Sequence, residues 1–277
     1  MKYRTIQSHE TLVVTDPSHN LRLKAAFASD MGRVRSNNED SVQLWEVGQG
    51  LVGLVADGMG GAAGGEEASR LAVLAVEDDF VKHVEHSHLA DLSPEALAEK
   101  MRHALLRANT DVLERANADI SLQGMGTTAT LVWLQGAEAT FAHVGDSRAY
   151  FISPLNPNKI AQVTTDHSYV EALVQAGHLT PEQAAEHPMK NILYRALGQK
   201  PDTELEVEIY KKTLRSGDCL ILCSDGLTRH VKDSEIAEIV LGQQNPVEII
   251  QKLIARANER GGEDNISALV VIAEDNQ

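Results

Sequence analysis

Apolar residues along this chain come in two rhythms, strand-like alternation and helical stripes. Leu21 to Ala28 alternates like a strand and stops at the turn Ser29-Asp30-Met31-Gly32. Ser41 to Val47 and Leu51 to Ala56 predict a hairpin around Gly48-Gln49-Gly50. From Glu66 to Val84 the pattern turns helical, with Leu71, Leu74, Ala75 and Val81 along one stripe. Ser93 and Pro94 open a longer second helix, whose buried face runs through Leu97, Met101, Leu105, Ala108 and Val112. Strands are predicted at Thr127–Trp133, Ala137–Val144 and Ser147–Ile152. Between Thr164 and Gly198 the pattern breaks into short helical pieces, one of them opened by the capping box Thr180-Pro-Glu-Gln183. Strands return at Glu204–Tyr210 and Asp218–Cys223. Two helices follow, the second opened by Asn245-Pro246 with Val247, Ile250, Leu253 and Ile254 on one face, and Ser267–Ala273 is a final strand.

This order lacks strict alternation of strand and helix, so it predicts largely antiparallel sheets with helices packed outside. No internal repeat or low-complexity linker interrupts it, and the simplest organisation is a single domain over residues 21–277. Residues 1–20 are polar and unpatterned, a tail or an extra edge element without an evident role. The long irregular excursion at about 165–198 predicts a functional loop or lid.

Composition narrows the partners. The chain has 277 residues, 43% of them apolar, enough for a sizeable core. No apolar run approaches the roughly 20 residues needed to span a bilayer. The start, MKYRTIQSHE, has no apolar segment of a secretory signal. Forty acidic against 25 basic residues give a net charge of −15. That balance serves solubility and argues against nucleic acid or an anionic membrane as a partner. Cys219 and Cys223 fall in one strand-like run about 13 Å apart, too far for a disulfide. A reducing compartment, the cytoplasm, is the expectation.

The candidate chemistry lies where strands end. Three buried-looking strands each deliver an aspartate: Asp57 in LVGLVADGMGG, Asp146 after Phe141-Ala-His-Val-Gly, and Asp225 after Cys219-Leu-Ile-Leu-Cys-Ser. Two further acidic clusters, Asn38-Glu39-Asp40 and Glu263-Asp264-Asn265, stand just before strand-like runs. Taken singly, an Asp-Gly after a strand is an ordinary turn, and Asp146-Ser-Arg148 is a surface turn with a local ion pair. Gathered together, such carboxylates repel and need raised pKa values or cations. Hard ions with oxygen ligands, Mg²⁺ or Mn²⁺, answer that need.

Three other readings compete. Gly58-Met-Gly60-Gly-Ala-Ala63 sits between a strand and a helix as a dinucleotide-binding loop would, but Asp57 would face the pyrophosphate. Cys223 and Arg229 have the Cys-x5-Arg spacing of cysteine-dependent phosphatases, with an acid inside the loop that would repel both thiolate and phosphate. His83, His86 and His88 form a His-rich helix exit with no second ligand set, which favours a solvated helix end.

Six blocks in order resemble the metal-dependent serine/threonine protein phosphatases, the protein phosphatase 2C family, in its compact bacterial form. They are Ser29-Asp-Met-Gly-Arg-Val-Arg35-Ser-Asn-Asn-Glu39-Asp40-Ser, Asp57-Gly-Met-Gly-Gly, Gly126-Thr-Thr-Ala-Thr, Gly145-Asp146-Ser-Arg, Ser224-Asp225-Gly-Leu and Asp264-Asn-Ile-Ser. The resemblance implies an α+β fold, a four-layer α/β/β/α sandwich of two mainly antiparallel sheets flanked by helices. It implies two Mn²⁺ or Mg²⁺ ions bridged by Asp57, with the Gly58 carbonyl on one and Asp225 and Asp264 on the other. Glu39 would act through water, Asp40 would orient the shell, and Asp146 with Asp225 would suit a third, weaker ion. Arg35 would bind the substrate phosphate.

The implied reaction is hydrolysis of phosphoserine and phosphothreonine in proteins by a metal-activated water, opposing a Ser/Thr kinase. The alternatives are a phosphoprotein-binding module with little catalysis and a metal-dependent hydrolase of small phosphomonoesters. One departure stands out: Met59 occupies the place where eukaryotic relatives carry a histidine proposed to protonate the leaving group. Metal-bound water or His167 remain as acids. The segment Asp166–Leu197 resembles the mobile flap of bacterial members.

Overall fold

In the computed structural model the described residues are 3–276, apart from 17–19, 62, 83–91, 157 and 200–204. Two short edge strands come first, β1 (Arg4–Thr5) and β2 (Leu12–Asp16), then β3 (Leu21–Asp30), β4 (Asp40–Val47) and β5 (Gly50–Met59). Helix α1 (Gly64–Val76) runs on into a π-helical turn over Glu77–Lys82, and α2 spans Pro94–Ala118. Next come β6 (Gly126–Thr127), β7 (Ala129–Gln135), β8 (Glu138–Val144), β9 (Arg148–Ile152) and β10 (Ile160–Gln162). The irregular region holds α3 (Tyr169–Gln175) and α4 (Pro181–Ala185). The chain closes with β11 (Glu208–Thr213), β12 (Cys219–Cys223), the single turn α5 (Asp225–Thr228), α6 (Asp233–Leu241), α7 (Pro246–Glu259) and β13 (Ile266–Asp275).

These strands make two sheets. One has the order β1-β4-β5-β7-β8-β11, with β6 on the end of β5; the other has the order β10-β9-β12-β13-β3-β2. Every pairing is antiparallel. The sheets face each other across Leu51, Val55, Phe141, Leu222 and Leu269. Helices α1 and α2 cover the first sheet, and α6 and α7 cover the second. The result is the four-layer α+β sandwich.

Strand β5 shows why its sequence is apolar without alternation: both of its faces are buried. Val52, Leu54 and Ala56 meet the helices, while Leu51 and Val55 meet the other sheet. Each of these valines and leucines, fully buried, contributes on the order of 1.5–3 kcal/mol. At Gly53 a Cβ would stand 2.7 Å from Leu269 Cδ1, so the sheets approach closely at that point.

The α2 face is buried as its periodicity predicts, from Leu97 through Val112, and Ser93 Oγ accepts from the Ala96 N–H. The capping box at Thr180 also forms. Helix α1 departs from the predicted stripe. Its buried residues include Ala68, Ala72, Ala75 and Val76, whereas Leu74 is 39% exposed. This helix lies against both β5 and α2, and small side chains allow that double approach. Two strand boundaries also move. Of the predicted Glu204–Tyr210, residue 204 lies outside the described residues and the strand runs over Glu208–Thr213, and the predicted Thr127–Trp133 divides into β6 and β7 around Thr128. The histidines 83, 86 and 88 lie outside the described residues.

Register brings the acidic segments to one end of the sandwich. Asp40 pairs with Asp57 across β4 and β5. On the other sheet, Cys223 pairs with Arg148 and with Ala268, and Ala268 pairs with Ala28. Asp146 lies between β8 and β9, Asp225 directly after β12, and Asp264 just before β13.

Candidate metal centre

The backbone around Asp57 is pinned before its side chain does anything. Its N–H donates to Thr128 Oγ1 at 2.9 Å, and its carbonyl accepts from the Thr128 N–H at 2.9 Å and Thr127 Oγ1 at 3.0 Å. Thr128 Oγ1 in turn lies 2.7 Å from Ser147 Oγ. The Gly126-Thr-Thr block therefore acts as a bracket on Asp57 and on the Asp146 loop together.

The loop carrying Glu39 is laced to β13 by Asn265. The Glu39 N–H donates to Asn265 Oδ1 at 2.8 Å, and Asn265 Nδ2 donates to the carbonyls of Met31 and Asn37, each at 2.9 Å. The Glu39 carbonyl accepts from the Gly58 N–H at 3.1 Å and from Ser69 Oγ at 2.7 Å. The glycine after each of two aspartates is required by crowding. A Cβ on Gly58 would lie 2.1 Å from the Gly65 carbonyl oxygen, and one on Gly226 would lie 2.0 Å from that of Asn265. Asp225 itself opens the one-turn helix α5 rather than a turn through glycine.

One cavity of about 440 Å³ is lined by Glu39, Asp57, Asp146, Asp225 and Asp264, with Gly58, Arg35 and Arg229. Burial, the first cause, and then the facing carboxylates Asp40, Asp225, Asp146 and Asp264 hold the Asp57 carboxyl well above the usual range. Burial and then Asp225 and Asp166 push Asp146 up to about 8, against the pull of Arg229 and Arg148. Asp225 and Glu39 are raised too, each chiefly by burial. Asp40 is buried and lies outside the cavity lining, where Ser224 Oγ donates to its Oδ2 at 2.7 Å. Burial raises it to about 7 although the Ser267 and Ser224 hydrogen bonds favour its charged form.

Two guanidiniums partly compensate this charge. Arg35 Nη2 stands 2.9 Å from both Asp264 oxygens. Arg229 holds Asp225 Oδ2 through Nη2 and reaches Asp264 Oδ2 at 3.2 Å through Nη1. Sequence reasoning met Arg229 only in the Cys-x5-Arg spacing and missed this role. Its position four residues after Asp225 on a helical turn was the available clue. As they stand, no three His, Cys, Asp or Glu side chains among the described residues are arranged to hold an ion. The donor chemistry still fits a hard cation. The lining offers carboxylate and carbonyl oxygens and, among the described residues, no His or Cys.

Several sequence expectations change here. Arg148 forks onto Asp166 rather than Asp146, with Nη2 2.7 Å from Oδ2. Cys223 is buried, its thiol pushed up by burial to about 12, so the cysteine-phosphatase reading has no thiolate. His167 is also buried. Its Nδ1 accepts the Gly145 N–H at 3.0 Å, its Nε2 stands 3.2 Å from Glu208 Oε1, and burial lowers its pKa. Sealed beneath Gly145, it does not line the cavity, whereas Met59 does. Asn191 and Leu193 of the irregular segment also line the cavity, so that segment borders the site.

The sequence profile of the family described as Protein phosphatase 2C matches residues 32–270. The serine/threonine phosphatase stp of Listeria monocytogenes is 37% identical over 251 residues, covering 90% of this chain and 95% of that protein. The structure of the S. agalactiae serine/threonine phosphatase is similar with a TM-score of 0.81 at 33% identity, covering 90% of this chain and 99% of that one. The catalytic domain of the serine/threonine protein phosphatase PstP, solved in complex with two manganese ions, gives a TM-score of 0.74 at 35% identity. That match covers 92% of this chain and 100% of that one.

Proposed function

The chain belongs to the protein phosphatase 2C family, and from that premise we propose that it removes phosphate from phosphoserine and phosphothreonine in proteins at a two-ion Mn²⁺ or Mg²⁺ centre. The observation that carries this reading is the meeting of carboxylates from five separate segments on one oxygen-lined cavity. Asp57, the Gly58 carbonyl, Asp225 and Asp264 would hold the two ions, Glu39 would act through water, and Asp146 with Asp225 would suit a third, weaker ion.

When bound, the cations supply Lewis acidity, lowering the pKa of a water and drawing charge from the phosphoryl oxygens. The chain's own groups do the rest. Arg35, exposed at the cavity and able to grip two oxygens at once, leaves Asp264 for the substrate phosphate. Asp40 and Ser224 fix the floor beneath Asp57 and Asp225. Thr128 keeps the Asp57 backbone from drifting. Met59 offers no proton and His167 is sealed away, so of the two acids the sequence offered, His167 and water, water is the one with access to the leaving seryl oxygen.

Residues 21–277 form the catalytic domain, with about 165–198 as the flap shaping access; residues 1–20 are an extension that lends β1 and β2 to the sheet edges. Phosphorylated proteins are the substrates, and a Ser/Thr kinase acting on the same proteins is the expected counterpart in bacterial signalling. Two free, buried cysteines suit the cytoplasm. Among the described residues, no helix is long and apolar enough to cross a membrane.

The test is release of phosphate from a phosphothreonine peptide with Mn²⁺, repeated after chelation, beside a small aryl phosphate. The expected result is peptide turnover that chelation abolishes. Turnover surviving complete metal removal contradicts the mechanism, and hydrolysis of the aryl phosphate alone favours the small-ester reading. Tight peptide binding without hydrolysis favours the binding module.

A further inference from the structure

Arg229 is the C-cap residue of α5, a helix of one turn, so its side chain folds back over Asp225. From there its guanidinium spans two segments, pairing Asp225 through Nη2 and Asp264 through Nη1 at 3.2 Å. These are two of the carboxylates assigned above to the divalent cations, and the inference rests on that assignment. One oxygen of each carboxylate, Oδ2 in both, is thus already held by a cation that the chain supplies itself. We propose that Arg229 is an internal competitor for the metal site: it neutralises Asp225 and Asp264 in the metal-free chain and must be displaced for ions to bind, so it sets the metal affinity.

Three observations support this. Carboxylates crowded in one cavity repel unless something cationic stands between them, and Arg229 stands between Asp225 and Asp264. Arg35 also pairs with Asp264, but the Asp225 contact belongs to Arg229. The displaced guanidinium also has somewhere to go. Arg229 lines a second cavity, of about 540 Å³, whose walls carry Glu171 and Asp233 besides the Asp166 that Arg148 already holds. Swinging toward those acids keeps its charge compensated while Asp225 and Asp264 turn to the ions. A guanidinium serving only to stiffen the loop would help the metal site, whereas a competitor opposes it. The two roles predict opposite signs.

The experiment is calorimetric titration of the full, metal-stripped chain with MnCl₂, comparing wild type with Arg229→Gln, alongside thermal midpoints with and without Mn²⁺. The expected result is a roughly tenfold tighter Mn²⁺ affinity in the variant, about 1.4 kcal/mol. Its metal-free midpoint should fall by roughly 2–4 °C, while its Mn²⁺-saturated midpoint stays at the wild-type value. Arg229→Lys keeps the charge without the fork and should lie between the two. It keeps the test open should the Gln variant not fold without metal. An affinity unchanged within about twofold, or weaker, in both variants overturns the proposal. Asp225→Asn separates the two levels. If it loses Mn²⁺ while Arg229→Gln is unchanged, only the competitor role fails. If it binds Mn²⁺ like wild type, the ligand assignment fails and takes the competitor role with it.

Discussion

Two polar clusters lie back to back on either side of the Gly145-Asp146 step, and they solve burial in opposite ways. Behind the step, His143 and His167 stack with ring centroids 4.9 Å apart. Thr130 Oγ1 lies 3.0 Å from His143 Nδ1, and His143 Nε2 lies 3.1 Å from the Thr165 carbonyl. Glu208 and Arg195 close the network around His167. Burial, and then His167, push His143 down to about 3, so it stays neutral and satisfied. In front of the step, carboxylates face one another and, among the described residues, the chain answers with only Arg35 and Arg229 in the cavity wall. The first cluster is complete within the protein and holds the root of the irregular segment against the sheet. The second is left short of positive charge, which is what a site for added cations requires.

The largest expected contrast is between function and stability. Asp57→Asn should cut Mn²⁺-dependent phosphopeptide turnover at least about 100-fold while the chain still folds. His143→Gln should do the reverse. It should destabilise by about 1–3 kcal/mol through unsatisfied partners and leave turnover per folded molecule within a few-fold. Denaturant midpoints measured beside turnover for both variants check this; near-normal turnover in Asp57→Asn contradicts the assignment.

The clusters should also respond to pH with opposite signs. His143 titrates near 6.5 when unfolded and at about 3 when folded. Between those values the unfolded chain binds the extra proton, so stability falls as pH drops. Asp40 and Asp146 titrate near 3.9 when unfolded, against about 7 and about 8 in the folded, metal-free chain. Between those limits the folded chain binds the extra protons, so stability falls as pH rises. Thermal midpoints of the metal-free protein from pH 4 to 8 should decline on the alkaline side, and Mn²⁺ should flatten that decline. A metal-free midpoint that climbs up to pH 8 contradicts it. The smallest effect is expected at Cys223, buried and outside the cavity lining. Cys223→Ala should leave turnover within about twofold, in keeping with a group that takes no part in the chemistry.

Much of this was legible in the sequence because it depends on short-range pattern. The α2 face, the caps at Ser93 and Thr180, and strands ending in aspartate follow from periodicity and local hydrogen bonding. The rest depends on distances between segments remote in sequence. Leu74 looked buried because it shares a stripe with Leu71, but the approach of β5 and α2 selects Ala68 and Ala72 instead. Gly58 and Gly226 read as turn residues, whereas the backbones of Gly65 and Asn265 exclude a side chain there. Arg229 was hidden because its partner Asp264 lies far along the chain. His167 looked available until Gly145 was seen to cover it.

The most direct test of the carboxylate cavity as a cation site is anomalous diffraction from crystals of the full chain grown with Mn²⁺. Two manganese peaks are expected, with the Asp57 carboxylate between them and Asp225 and Asp264 on one. A cavity without anomalous density at saturating Mn²⁺, or peaks only at the surface away from Asp57, would contradict the account.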